Sequence, residues 1–243
     1  MSTSTEVRTG GWIGSTYTAG MSSDLGSWHS REYVAEWVGD DVIADILEFP
    51  RRLTVGIAAD AGIDVSHVVD LGAGHGPYLE LFLERFPSAR GTWIDSSQPM
   101  QELARERLER FGDRVEYVIG DLEQFTELQF DVADVVVSSR VLHHFSSETL
   151  RALYARLYEQ TAPGGLVANL DHVGMPGDWE QVLRRLRKEF LAGRQVEQKP
   201  HRHDYPFPLA EDQVEWLSDA GFDAPAVPWR MFYTALVVAR KPL

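Results

Sequence analysis

The chain has 243 residues, 44% hydrophobic and 25% charged, with 23 basic against 37 acidic side chains, a formal charge of −14 and no cysteine. One domain of this length can bury a full core, and the ordinary proportions exclude a disordered or low-complexity chain. The negative charge opposes a broad nucleic-acid surface, and the missing cysteines exclude disulfides, thiolate nucleophiles and cysteine-based metal centres.

No apolar run approaches the roughly 18 residues needed to span a bilayer. Residues 1–30 are rich in Ser, Thr and Gly and lack the apolar core of an export signal. A soluble, cytoplasmic protein without a membrane or nucleic-acid partner is expected.

The first 30 residues read as loop, with Trp12, Tyr17 and Trp28 as aromatic anchors. A helical period follows through Tyr33, Val34, Trp37, Val38, Ile43, Ile46 and Leu47, and Pro50 reads as the start of a second helix toward Gly62. Short apolar runs then alternate with amphipathic segments. Strands are expected at 67–71, 91–94, 115–119, 134–138 and 166–170, and helices at 77–86, 98–111 and 146–160, the last capped from Ser146. This rhythm means right-handed βαβ crossovers. Helices at 178–195 and 209–220 and a hairpin of strands 226–229 and 232–239 complete the chain, with a Pro- and His-rich loop at 196–208.

Asp70-Leu71-Gly72-Ala73-Gly74-His75-Gly76 lies between the first strand and the next helix. Glycines there let the backbone turn tightly and approach a ligand, at the end of the sheet where open α/β folds bind. A dinucleotide fingerprint needs its third glycine three residues after the second, yet position 77 is Pro; no Gly-Lys-Ser/Thr follows either. Both the NAD and the P-loop readings are disfavoured.

At these residues the chain resembles the class I S-adenosylmethionine (SAM) dependent methyltransferases, whose first motif is an acidic residue before Gly-x-Gly-x-Gly. Further matches follow in order: Asp95-Ser96-Ser97-Gln98-Pro99-Met100 after the second strand, Gly120-Asp121-Leu122 after the third, Ser138-Ser139-Arg140-Val141-Leu142-His143-His144-Phe145 after the fourth, and Pro163-Gly164-Gly165 before the fifth. The resemblance covers residues 65–172 and implies a single-domain Rossmann-like α/β fold. Its seven-stranded, mostly parallel sheet would have the order 3-2-1-4-5-7-6, with helices on both faces. Residues 51–243 would form the SAM-binding core; residues 1–50 and the insertion 174–208 would form a helical lid.

The resemblance assigns the cofactor, SAM, with S-adenosylhomocysteine (SAH) as product, to Asp70, Gly72, Gly74, Gly76, Asp95, Ser96, Met100, Asp121, Leu122 and Ser138. It implies that Asp95 takes the ribose hydroxyls, Met100 packs on adenine and Asp121 meets the adenine amino group. Each also has a plain structural reading, as strand-end cap or core residue. A base is needed only if the acceptor must lose a proton. His143, His144, Asp171 and His172 end the fourth and fifth strands and are the candidates, with packing as the alternative. His201 and His203 read as surface polar residues, so no metal is expected. Residues 184–203 hold seven basic against two acidic side chains, among them Arg184 and Arg187; this is either a solvated face or a grip on an anionic substrate. The expected function is methyl transfer to a small organic acceptor, with a lean to oxygen and to specialised metabolism. A protein or RNA acceptor and a non-catalytic binding module are the alternatives, and a homodimer stays open.

Overall fold

The computed structural model describes residues 28–38, 41–124, 130–192 and 205–243. Trp12, Tyr17, His201 and His203 lie outside the described residues. Helices α1 (Arg31–Val38) and α2 (Asp41–Asp60) lead into β1 (His67–Leu71). Then come α3 (Pro77–Arg85), β2 (Arg90–Asp95), α4 (Gln98–Arg107), β3 (Val115–Ile119), β4 (Ala133–Ser139), α5 (Ser147–Gln160) and β5 (Thr161–His172). Helices α6 (Trp179–Ala192) and α7 (Ala210–Asp219) precede β6 (Asp223–Met231) and β7 (Thr234–Arg240).

The strands form one sheet in the order β3-β2-β1-β4-β5-β7-β6, as expected. β1 to β5 run parallel, and β7 is antiparallel to both β5 and β6. Period-two alternation sends successive residues to opposite faces. Val68, Trp93, Val135 and Val137 face α2, α3 and α4, where Val55, Leu79, Phe82 and Met100 complete one core. Val69, Ile94, Val136 and Val167 face α5 and α7, with Leu150, Tyr154 and Trp216. Each fully buried aromatic or aliphatic side chain contributes about 1.5–3 kcal/mol, so the two layers hold the sheet rigid. The chain leaves β1 for β2 and β3, then returns to β4 on the other side of β1. That reversal opens a crevice beyond Leu71 and Ser138, which are paired in register.

Several boundaries differ from those expected. Pro50 does not start a helix: α2 runs through it from Asp41 to Asp60. Pro50 is buried, as are Leu47 and Val55 of the same helix, and such burial offsets the lost N–H bond, which costs about 3 kcal/mol in an ordinary helix. Thr54 Oγ1 also donates to the Pro50 carbonyl at 2.9 Å. α1 ends at Val38 and α2 begins at Asp41, so α2 spans the boundary expected at residue 50. α4 stops at Arg107 rather than Phe111; a 3-10 segment follows, held by Arg114, which donates to the carbonyls of Leu83, Phe86 and Ala89.

β5 begins at Thr161, not Leu166, because Pro163-Gly164-Gly165 is a bulge within the strand: Ala133 pairs with Thr161 but Val135 with Leu166. A Cβ on Gly165 would lie 2.7 Å from the Asp134 carbonyl, so only glycine lets β4 and β5 close there. Phe232, expected in the last strand, sits in the hairpin turn at φ 54. Among the described residues no helix is long and apolar enough to cross a membrane.

Candidate cofactor cleft and its flanking histidines

A cleft of about 870 Å³, open mouth included, occupies the crevice at the carboxyl ends of the strands. Its glycine wall is shaped by two left-handed residues, Gly72 and Gly74, and a third, Gly76, follows before α3. A Cβ on Gly72 would meet Val141 Cγ2 at 2.3 Å, so the β4 loop seats directly on that glycine. Trp93, fully buried in β2, donates from Nε1 to the Gly74 carbonyl at 2.7 Å and pins the turn from below. Pro77 opens α3 just after Gly76, where a helix lacks N–H partners anyway.

Asp95 closes β2. Its carboxylate accepts from the Gly74 amide at 2.9 Å and the Ser97 amide at 2.8 Å. Burial raises its pKa, and the amides of Ser97, Gly74 and Ser96 pull against the shift. Asp95, Ser96 and Met100 all line the cleft, as do Gly72, Gly74, Gly120, Asp121 and Leu122. Met100 is buried at the start of α4, under the Ser97 cap. Asp121 stands exposed.

Asp70 lies deepest, 1% exposed, with neither carboxylate oxygen in a hydrogen bond. Burial pushes its carboxyl up to about 7, although the Arg51 charge pulls against the shift. Arg51 reaches the same wall from α2 and donates to Ser139 Oγ at 3.3 Å. Sequence reasoning missed Arg51. The signal was present: Leu47, Arg51, Thr54, Val55 and Ala58 share the buried face of α2, so an arginine occupies a core position.

Two residues assigned to the cofactor stand off the cleft lining. Gly76 is the residue that starts α3, and a Cβ there would meet Leu108. Ser138 donates its hydroxyl to the Leu71 carbonyl at 2.9 Å, joining β4 to β1; Ser139 and Arg140 line the cleft instead.

Of the four candidate bases, His144 lines the cleft. His143, Asp171 and His172 form a buried layer behind it. His143 Nδ1 lies 2.5 Å from Asp171 Oδ1, and the amides of His143 and His172 also donate to that carboxylate. The His143 ring is 4.2 Å from His144 and 4.9 Å from His172, and His172 packs on Phe207 and Tyr233. Arg184 and Arg187 from α6 sit over the Tyr233 ring at 4.8 and 5.2 Å. Imidazoles, aromatic rings and guanidinium groups thus run without a gap from the cleft to α6. Among the described residues no group of His, Asp and Glu could hold a metal ion.

Residues 68–165 match the family described as a methyltransferase domain. With the strand order and the glycine-walled cleft, the match makes residues 68–165 similar to a methyltransferase domain. The trans-aconitate 2-methyltransferase of Paracidovorax citrulli is 35% identical over 127 residues, 52% of this chain and 45% of the relative. Aclacinomycin 10-hydroxylase RdmB of Streptomyces purpurascens is 31% identical over 179 residues, 68% of this chain and 47% of the relative. The chain therefore spans about half the length of these curated relatives. The solved SAH complex of DhpI superposes with a TM-score of 0.62 at 20% identity, over 90% of this chain and 95% of that one.

Proposed function

We propose that the chain is a SAM-dependent methyltransferase acting on a small, anionic organic acceptor, with oxygen as the methylated atom and a role in specialised metabolism. The observation that carries this reading is Asp70: a carboxylate held dry and unpaired at the head of a glycine-walled cleft. Such a group is costly unless a cation arrives. SAM brings an ammonium and a sulfonium, and supplies the activated methyl group.

The residues present fit that cofactor. Asp95 keeps lone pairs beyond those used by the Gly74 and Ser97 amides, so its carboxylate suits paired ribose hydroxyls. Met100 and Leu122 offer apolar contact for adenine, and Asp121 an acceptor for its amino group. On the acceptor side, His144 is the base candidate by access. His143, with Nδ1 tied to Asp171, is oriented by a carboxylate. Methyl transfer needs the nucleophile held in line, and the packed ring layer supports such positioning.

The reading of an anionic acceptor rests on Arg184, which pairs with Glu180, and Arg187, both over the far end of that layer. The trans-aconitate 2-methyltransferase carries an acidic acceptor in its name, which accords with it. Incubation with methyl-labelled SAM and a panel of carboxylic and phenolic acids tests it, with label moving to an acceptor oxygen as the expected result. Label on protein or RNA, or a hydroxylated product, would contradict it.

A further inference from the structure

Helix α6 is amphipathic, and its apolar stripe faces outward. Trp179, Leu186 and Phe190 recur at intervals of seven and four, which puts them on one side of the helix. They are 61%, 46% and 46% exposed. Val182 and Leu183, between them, are half-buried. Phe190 lies beside Phe232 of the last hairpin turn, ring centroids 6.0 Å apart. Tyr205, two residues before the Phe207 ring under Arg184, is also exposed. The other large apolar side chains that the described residues expose, Phe49, Ile119, Val132, Val227 and Leu243, stand singly along the chain. A contiguous exposed stripe marks contact with something apolar.

The rest of the helix surface is cationic. Arg184, Arg185 and Lys188 are exposed, and Arg187 is half-buried over Tyr233. Two acids, Glu180 and Glu189, share the helix, and Glu180 pairs with Arg184 at 2.7 Å. This basic surplus stands in a chain of formal charge −14. What meets the stripe therefore carries negative charge beside an apolar layer.

We propose that α6 is a peripheral membrane contact that lies flat on an anionic lipid surface. Trp179, Leu186 and Phe190 enter the boundary between headgroups and acyl chains, and Arg185 and Lys188 meet the headgroup phosphates. Helices that rest in this plane divide their residues in the same way. Trp and Tyr favour that depth. A second copy of the chain would set Arg185 and Lys188 against their own kind, so like charges oppose self-pairing through this face. The acidic remainder of the chain is repelled by the same lipids, which orients the protein with α6 toward them. The expectation of no membrane partner rested on the lack of a spanning segment, and a helix lying flat needs none.

Flotation of the purified chain with vesicles tests this, using phosphatidylcholine alone and phosphatidylcholine mixed equally with phosphatidylglycerol. The chain is expected to float with the mixed vesicles in low salt, and about tenfold less with phosphatidylcholine or in about 0.5 M salt. Arg185→Glu with Lys188→Glu is expected to abolish binding. Arg85→Glu with Arg105→Glu, an equal charge change on α3 and α4, is expected to leave it within about twofold. Trp179→Ser with Leu186→Ser is expected to weaken binding about tenfold at constant charge. Should that pair lower the melting temperature, Trp179→Phe keeps the face apolar and is expected to remove the vesicle-induced blue shift of tryptophan fluorescence. Wild-type protein that fails to float with the mixed vesicles, or equal loss from both charge reversals, would overturn the proposal. Self-association that the serine pair abolishes, without flotation, assigns the stripe to a second copy and overturns it. Binding to polyglutamate without flotation assigns it to an acidic polypeptide and overturns it as well.

Discussion

His143 and Asp171 meet twice, through Nδ1 to Oδ1 at 2.5 Å and through the His143 amide to Oδ2 at 2.9 Å. One carboxylate at the end of β5 thus fixes both the ring and the backbone of the turn after β4. It also accepts the His172 amide at 2.8 Å. Three donors converge on it, with side chains 1% exposed at both His143 and Asp171.

Asp171→Asn replaces one acceptor oxygen by an NH₂ group, which then faces a donor. A buried mismatch of this kind costs about 1–3 kcal/mol. The urea midpoint is expected to fall at unchanged slope, and kcat to fall with it as the histidines lose their orientation. His144→Ala touches the cleft wall alone: its midpoint should stay near wild type while kcat drops and SAH affinity holds. Wild-type stability in Asp171→Asn would remove the positioning role.

Gly72 and Gly56 make a matched pair. Gly72 has φ 64 and no room for a Cβ against Val141, whereas Gly56 lies in α2 with nothing within 4 Å of an added Cβ. Gly72→Ala is expected to destabilise by about 2 kcal/mol or more and to weaken SAH binding. Gly56→Ala is expected to stabilise by about 0.5–1 kcal/mol through the unfolded chain. Thermal unfolding of both variants checks the pair; a tolerated alanine at 72 would mean that the turn relaxes.

Asp70 sets a pH dependence. Its carboxyl rises from the ordinary 3.8 to about 7, chiefly by burial, with Arg51 opposing and Asp95 adding to the shift. The folded, empty protein therefore binds more protons than the unfolded chain between those values. Stability falls as pH rises through that window, by at most about 4 kcal/mol. Asp70→Asn should flatten this decline and raise the Tm of the ligand-free protein at pH 8. A cationic ligand favours the ionised carboxylate, so SAH affinity in the wild type should increase from pH 6 to pH 8. A Tm profile identical in wild type and Asp70→Asn would show that Asp70 ionises normally.

Arg187 lies over Tyr233 at 5.2 Å, beside Arg184, which Glu180 already pairs. Arg187→Glu is expected to raise KM for an anionic acceptor by about tenfold with SAH affinity unchanged. An unchanged KM would leave this helix face as solvated charge.

Much of the fold was legible because its signals are local. Val68 and Val69 face opposite layers by simple alternation, and Ser146 caps α5 by accepting from the Thr149 amide, as its position before the helix suggested. The glycines of the β1 turn were legible for the same reason. What was missed depends on tertiary contact. Pro50 stays inside α2 because its face is buried. Ser138 and Ser139 are neighbours of the same type, and only the pairing of β4 with β1 sends one to the Leu71 carbonyl and the other to the cleft. Arg51 was hidden because its helix precedes every strand-end motif. His143 and His144 look equivalent in sequence; the Asp171 contact separates them.

The most direct measurement is calorimetric titration of the chain with SAM, SAH and NAD, repeated on Asp95→Ala. Binding of both adenosyl ligands but not NAD, with a loss of more than about tenfold in the variant, is the expected result. Binding of NAD alone, or wild-type SAH affinity in Asp95→Ala, would contradict the cofactor site described.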